Sequence, residues 1–197
     1  MNPLIYIRNV NNLSDARYCA AMGVDLIGFR LDPAAEGSLS AAKFKEIAGW
    51  ISGVKIVGEF GSATSETIKD FLTSINIDYI LAESGSDLHI LGSVEKPLII
   101  QVSIEDLIKG SRPEMNQNNA AYLLLTSELN STNIPKAAFL NANLPMILGY
   151  GITAENVAAL ASDYGFAGIS LTGGSEERPG YKDYDEMAEI LEEIKVD

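Results

Sequence analysis

The sequence predicts a single α/β domain over residues 1–197, folded as a (β/α)₈ or TIM barrel. Eight short apolar segments alternate with helical segments, and several of them lack the polar alternation of a half-exposed strand. Such apolar runs are typical of parallel strands that are covered on both faces. No linker or change of composition marks a domain boundary. A doubly wound open sheet is the alternative, and it fits less well because no Gly-x-Gly-x-x-Gly motif follows the first strand.

The predicted strands are spaced as in consecutive βα units. In chain order they are Leu4–Arg8, Asp25–Leu31, Val54–Phe60, Tyr79–Glu83, Leu98–Val102, Tyr122–Thr126, Met146–Gly149 and Gly168–Thr172. The segments between them place apolar residues on one helical face, as Phe44, Ile47 and Ile51 do in the second helix. Polar residues that suit a helix N-cap precede four of these segments. They are Asn12, Ser40, Thr64 and Thr153.

The charge of the chain excludes several classes of partner. With 27 acidic and 14 basic residues the net charge is −13, so neither a nucleic acid nor a membrane surface is an expected partner. The N-terminus does not resemble a signal peptide, and the single cysteine, Cys19, fits a reducing compartment. We expect a cytoplasmic monomer or homodimer. One cysteine and one distant histidine form no metal-ligand cluster, and no metal or other cofactor is expected.

Two glycine turns, 148–151 and 172–174, follow the last two predicted strands. Glycine lets the backbone approach a ligand, and the first N–H groups of a helix have no internal partner. The loops after strands seven and eight are the usual phosphate site of such barrels. We therefore expect a phosphorylated small molecule at these turns, unless they only terminate strands tightly. The residues predicted to bind it are Gly149, Tyr150, Gly151, Gly173 and Gly174, with the side chain of Tyr150 either filling the anion site or pointing away.

Motifs along nearly the whole chain resemble, in order and spacing, those of phosphoribosylanthranilate isomerase, an enzyme of tryptophan biosynthesis. They are Tyr6–Ala16, Gly28–Pro33, Val57–Phe60, Gly151 with Glu155–Val157, and Gly174 with Glu176 and Pro179–Asp183. The resemblance implies the barrel fold and an Amadori rearrangement of a phosphoribosyl amine. That reaction needs a general base and a general acid.

The resemblance also implies that a cysteine ending strand one is the base and an aspartate ending strand six is the acid. Arg8 and Thr126 occupy these two positions. Arginine has no lone pair to accept a proton, and threonine is too weak an acid. Cys19 lies inside the first predicted helix and cannot substitute. We therefore expect the family activity to be lost or altered, with unknown catalytic residues and with Glu83 and Asp32 as candidate replacements.

The resemblance also implies which strand positions face inward, and because residues two apart in a strand face the same side, it places charged residues at the mouth of the barrel. They are Arg8, Arg30, Glu59 and Glu83. One interpretation is an ion-pair network that fills the mouth. The other is a new polar pocket, in which an arginine binds a carboxylate and a glutamate acts as acid or base. Carboxylates beside arginines normally have depressed pKa values, which suits proton transfer poorly.

Three functions stay open at this stage. The chain is an isomerase that uses other residues, a non-catalytic or regulatory barrel that binds a phosphorylated metabolite, or a different enzyme on the same phosphate-binding scaffold. Whether it is an enzyme therefore also stays open; if active, it is expected to be an intramolecular isomerase. An open mouth would favour a different enzyme, and a mouth closed by ion pairs would favour binding.

Overall fold

The computed structural model describes residues 3–61, 63–83, 86, 91, 94–109, 119–126, 144–173, 176–178 and 181–195. Eight strands form a closed barrel in chain order, and every neighbouring pair is parallel. The predicted (β/α)₈ barrel is therefore confirmed. The strands are β1 (Leu4–Val10), β2 (Leu26–Arg30), β3 (Lys55–Glu59), β4 (Tyr79–Ala82), β5 (Leu98–Val102), β6 (Ala120–Leu125), β7 (Met146–Leu148) and β8 (Gly168–Thr172).

Each strand lies where the apolar segments predict it, and the main difference is at β1. This strand continues past Arg8 to Val10, with an irregular register against β2 between Ile7 and Val10. Asn9 lies in this irregularity and has a left-handed backbone, with φ of 57°. Asparagine adopts that conformation more readily than most residues, although at some free-energy cost.

The helices are α1 (Leu13–Ala21), α2 (Ala41–Ala48), α3 (Ser65–Ser74), α4 (Ile104–Lys109), α5 (Val157–Tyr164) and α6 (Asp185–Lys195). A short antiparallel pair, β9 (Glu176–Arg178) and β10 (Tyr181–Lys182), precedes α6. The predicted N-caps Asn12, Ser40 and Thr64 are confirmed, because each side chain accepts a hydrogen bond from an N–H three residues on.

The N-cap prediction at Thr153 is wrong, because α5 begins only at Val157 and its N-cap residue is Asn156. The Asn156 side chain instead folds back on the preceding turn. Its Oδ1 accepts from the Thr153 N–H at 2.9 Å, and its Nδ2 donates to the Gly151 carbonyl at 2.8 Å. An asparagine bonded in this way closes a turn rather than a helix end.

Two apolar layers hold the barrel together. The outer layer packs the strands against the helices, for example Ile27 and Phe29 against Phe44 and Ile47. The inner layer fills the barrel with buried side chains from seven of the strands. They are Tyr6, Leu26, Val57, Leu81, Ile99, Leu124 and Ile147. Because side chains alternate along a strand, residues two positions further on face the same interior, nearer the carboxyl ends.

The first and last βα units are joined by side chains as well as by strand pairing. β1 pairs with β8 along its length, from Leu4 with Gly168 to Arg8 with Thr172. The Tyr184 hydroxyl donates to Oδ1 of Asp15, which is buried in α1, and the Tyr184 ring stacks on Tyr18 with centroids 4.3 Å apart. Among the described helices, none is long and apolar enough to cross a membrane.

Candidate functional site

The mouth of the barrel is built from the residues that follow the inner layer. Arg8, Glu59, Glu83, Gln101 and Thr126 each lie two positions beyond an inner-layer side chain. They therefore face the interior at the carboxyl end of the barrel. Arg30 lies opposite Glu59 in the register of β2 and β3. Arg8, Arg30, Glu59 and Glu83 therefore lie at the same end of the barrel.

Glu59 is buried, and its carboxyl group is bonded to β1 rather than to a neighbouring arginine. It is 1% exposed. Its Oε1 accepts a 2.8 Å hydrogen bond from the Tyr6 hydroxyl, and its two oxygens lie 3.2 and 3.3 Å from the Asn9 N–H. β2 lies between these strands, and Gly28 leaves the necessary space. A Cβ at Gly28 would lie 2.0 Å from Oε1 of Glu59.

Burial raises the pKa of Glu59 to about 7, although the Tyr6 hydrogen bond, the charge of Arg8 and the Asn9 N–H all act to lower it. The charge of Glu83 raises it further. The expectation of a depressed carboxylate pKa is therefore wrong for Glu59, because loss of hydration outweighs attraction to a partly exposed arginine. Burial and the Glu59 charge also raise the pKa of Tyr6 well above its ordinary value, so the phenol is a neutral donor.

Arg30 and Glu83 form a long ion pair at the mouth, with Nη2 and Oε1 3.9 Å apart. Their side chains are 34% and 26% exposed, so water screens the attraction. Arg8 and Glu59 interact electrostatically, but within the described ranges no ion pair of 4 Å or less joins them. Of the four charged residues, Arg30 and Glu83 form one weak pair, Glu59 is a buried carboxyl group and Arg8 acts on Glu59 without an ion pair, so they do not form a continuous network.

Three buried polar atoms near this end of the barrel have no hydrogen-bond partner among the described residues. They are Nε of Arg8, Oδ1 of Asn9 and Oγ of Ser170. Ser170 is 2% exposed and lies on β8 beside Tyr6. Buried polar groups are nearly always paired, so each unpaired one calls for a partner such as a water, an ion or a ligand group.

The two family catalytic positions and their candidate replacements have different surroundings. Oγ1 of Thr126 accepts a 2.8 Å hydrogen bond from Nε2 of Gln101. Cys19 is buried in α1, away from the strand ends. Asp32 is buried in the loop after β2, where its Oδ1 accepts from the Ala34 N–H at 2.9 Å. Only Glu83 of the two candidates lies among the mouth residues.

The glycine turns follow β7 and β8, but part of their backbone is already bonded. The Gly149 N–H donates to the Leu125 carbonyl at 2.7 Å, and the Gly173 N–H donates to the Arg8 carbonyl at 2.9 Å. Gly151 has a left-handed backbone, with φ of 69° and open space around it. The Tyr150 side chain is 46% exposed and so points toward solvent. Gly174 lies outside the described residues.

Sequence reasoning missed three residues that shape the site, Tyr6, Asn9 and Gly28. A signal existed for Tyr6, which lies two residues before Arg8 on the same strand face. Gly28, two residues before Arg30 on β2, signalled a gap in the inner layer by the same spacing. Nothing in the sequence signalled the backbone conformation of Asn9. In the part of the chain that is described, no three His, Cys, Asp or Glu side chains are grouped to hold a metal.

The chain is similar over nearly its whole length to curated N-(5′-phosphoribosyl)anthranilate isomerases. The relative from Maridesulfovibrio salexigens is 23% identical over 199 residues, which cover 95% of this chain and 96% of the relative. The relative from Aquifex aeolicus is 25% identical over 204 residues, which cover 97% and 98% of the two chains. No protein-family model matches the chain.

Solved structures of phosphoribosylanthranilate isomerases share the fold. The structure from Thermotoga maritima superimposes with a TM-score of 0.78 at 19% identity and covers 98% of each chain. The structure from Thermus thermophilus has a TM-score of 0.74 at 22% identity, covering 97% of this chain and 98% of the other. Relatives that match from end to end, together with the closed barrel, support the assignment of this chain to the phosphoribosylanthranilate isomerase family.

Proposed function

We propose that the chain is a single-domain barrel that binds a phosphorylated small molecule and does not isomerise phosphoribosylanthranilate by the family's cysteine and aspartate mechanism. The proposal rests on the identity of the residues at the ends of two strands. Arg8 ends the regular part of β1, and Thr126 follows β6 with its hydroxyl bonded to Gln101. An arginine cannot accept the sugar proton, and a threonine cannot supply one at neutral pH.

The surroundings of the candidate replacements support the same conclusion. Asp32 is 4% exposed and bonded within its own loop, which leaves it poorly placed to reach a sugar. Glu83 is more accessible but is paired with Arg30. Of the two, Glu83 is the only one that we retain as a possible acid or base for a modified mechanism.

The phosphorylated ligand is proposed from the position of the glycine turns and from a relative. One similar solved structure is a phosphoribosylanthranilate isomerase in complex with reduced 1-(o-carboxyphenylamino)-1-deoxyribulose 5-phosphate, a phosphorylated compound. Barrels usually bind phosphate at the carboxyl ends of strands seven and eight. Because the N–H groups of Gly149 and Gly173 are bonded within the barrel, the proposed donors are those of Tyr150, Gly151 and Gly174.

A second candidate, a different enzyme on the same scaffold, is favoured by one observation. Glu59 has a pKa of about 7, which suits a general acid or base near neutral pH. Its enclosure between Tyr6 and Asn9 argues against direct contact with a substrate in this conformation. Ligand identification therefore precedes any assay of this candidate.

The isomerase question is tested in a tryptophan auxotroph that lacks the isomerase, with the Thermotoga maritima relative as the positive control. We expect the relative to restore growth and this chain not to, even when it is expressed as folded protein. Purified protein should show no turnover of phosphoribosylanthranilate. Growth together with measurable turnover would overturn this part of the proposal.

Phosphate binding is tested by calorimetry with glycerol 3-phosphate. Gly151→Asp places a negative charge at the proposed site, whereas Gly165→Asp places the same charge after α5, at the opposite end of the barrel. The two glycines are matched, since both have a positive φ, 69° and 65°, and open space around them. We expect Gly151→Asp to abolish binding and Gly165→Asp to preserve it. Equal affinities for the two variants would refute the site.

A further inference from the structure

We propose that Arg8 and Ser170 bind a carboxylate group of the ligand, in a subsite between the carboxyl ends of β1 and β8. This inference deepens the proposed function, because it adds a second anionic group to the phosphorylated ligand. The subsite is separate from the glycine turns and uses side-chain donors instead of backbone N–H groups.

The first support is the pair of unsatisfied donors. In the described part of the chain, Nε of Arg8 and Oγ of Ser170 are buried and have no hydrogen-bond partner. Ser170 is 98% buried, since its relative exposure is 2%. Leaving a guanidinium N–H and a hydroxyl without a partner destabilises the fold, and a ligand oxygen would remove that penalty. The Arg8 Nε–H can only donate and the Ser170 hydroxyl can donate as well, so one acceptor group would satisfy both.

The second support is the position of the two residues on neighbouring strands. Tyr6 pairs with Ser170 in the parallel register of β1 and β8, and Arg8 pairs with Thr172. Arg8 and Ser170 are therefore diagonal neighbours on the inner face, with Cα atoms about 8 Å apart at ordinary strand spacing. A carboxylate between them would accept from the guanidinium of Arg8 with one oxygen and from the Ser170 hydroxyl with the other.

The charges around Arg8 favour a carboxylate over a phosphate. Glu59 interacts with Arg8, and the charge of Glu83 also acts on Glu59. A carboxylate carries one negative charge, whereas a phosphate monoester carries about 1.5 to 2 at neutral pH. The two glutamates therefore repel the singly charged carboxylate less than a phosphate, and the carboxylate still accepts a charge-assisted hydrogen bond from the guanidinium of Arg8.

The same charges couple binding to pH. Glu59 is faced by Tyr6, Arg8 and the Asn9 N–H from β1, and the charge of Glu83 acts on it from the end of β4. Protonation of Glu59, whose pKa is about 7, removes a negative charge beside Arg8 in the neutral range. A bound anion favours that protonated form. Carboxylate affinity should therefore be several-fold higher at pH 6 than at pH 8.

The test uses three probes on the full chain: glycerate, which has only the carboxylate, glycerol 3-phosphate, which has only the phosphate, and 3-phosphoglycerate, which has both. Arginine side-chain ¹⁵N resonances report contact at the Nε–H of Arg8. We expect glycerate to shift that resonance, and we expect 3-phosphoglycerate to bind about tenfold more tightly than glycerol 3-phosphate. Arg8→Met, which also removes the reporting resonance, should abolish the tighter binding of 3-phosphoglycerate, and Ser170→Ala should weaken both effects. Arg17→Met on the exposed face of α1 should change neither.

The outcomes separate this subsite from the phosphate site. Binding of glycerol 3-phosphate with no glycerate shift at Arg8 would overturn the subsite and leave the phosphate site standing. A shift of the Arg8 resonance with glycerate, together with no binding of glycerol 3-phosphate, would support the subsite and overturn the phosphate site. If Arg8→Met loses its folded spectrum, Ser170→Ala decides, because unchanged glycerate affinity in that variant would also overturn the subsite.

Discussion

The hydroxyl of Tyr6 on β1 donates a 2.8 Å hydrogen bond to Glu59 on β3, across the gap that Gly28 leaves in β2. An ionisable group is thus placed among the apolar side chains that fill the barrel. Burying a carboxyl group favours its neutral form, and the hydrogen bonds from β1 only partly offset that preference. The protonation state of the barrel interior therefore depends on pH, and the pH dependence of folding stability should report the protonation of Glu59.

Glu59→Gln should change how stability depends on pH. The folded protein keeps the Glu59 proton up to its pKa of about 7, whereas the ordinary pKa of glutamate, which applies in the unfolded chain, is 4.5. Between these values the folded state binds more protons, so wild-type stability falls as pH rises, by about 3 kcal/mol in total. Glutamine has no such transition. Urea unfolding at pH 5 and pH 8 should show that the unfolding free energy of the variant rises relative to that of the wild type as pH increases. An equal change with pH in both proteins would contradict the raised pKa of Glu59.

Gly28→Ala should destabilise the barrel by about 1 to 3 kcal/mol. The new methyl group would lie 2.0 Å from Oε1 of Glu59 and 2.8 Å from the Tyr6 hydroxyl oxygen. Thermal or urea unfolding measures the effect. The control is a double-mutant cycle with Glu59→Ala, in which the penalty at Gly28 should shrink because the closest atoms are gone. A penalty that stays the same in both backgrounds would mean that Gly28 is needed for another reason.

Ser170→Ala and Thr126→Val should affect stability in opposite directions. The first removes a buried hydroxyl with no partner among the described residues, so stability should rise by about 1 kcal/mol. The second removes the acceptor of a 2.8 Å hydrogen bond from Gln101, so stability should fall by about 1 kcal/mol. Urea unfolding of ligand-free protein compares them directly. A loss of stability in Ser170→Ala would indicate that the hydroxyl is already bonded.

Tyr184→Phe should lower stability by about 1 to 2 kcal/mol, because buried Asp15 loses the phenol that donates to it. The ring remains, so its stacking on Tyr18 is kept. Tyr18→Phe is the matched control and should have a smaller effect. The contact joins α1 to the residue before α6, and equal effects of the two substitutions would contradict a specific contribution of the hydrogen bond from Tyr184 to Asp15.

The fold was predictable from the sequence because its determinants are local and repeated. Each strand is an apolar run, and Asn12, Ser40 and Thr64 are caps that act within three residues. Thr153 failed as a cap because the helix begins only at Val157, and the Asn156 side chain closes the preceding turn by bonding the Thr153 N–H and the Gly151 carbonyl. A turn of this kind depends on loop geometry that spacing alone does not specify.

The site was predictable in its position but not in its bonding. Period-two spacing placed Arg8, Arg30, Glu59 and Glu83 at the mouth. It did not predict that Glu59 bonds to Tyr6, because that contact depends on the small size of Gly28 and on the bulge at Asn9. The raised pKa of Glu59 results from its burial, because the loss of hydration raises the pKa more than the charge of the nearby Arg8 lowers it. Burial of one side chain among eight strands is a property of the assembled barrel.

Pairing of β1 with β8 has a consequence for synthesis on the ribosome. One edge of β1 is satisfied early, by β2, but its other edge waits for residues 168–172. Until those residues leave the exit tunnel, the nascent chain exposes an unpaired strand edge and an unfilled interior. A chaperone that shields this edge would therefore act during most of translation, and a ribosome stalled before Gly168 would hold a chain that cannot complete its barrel.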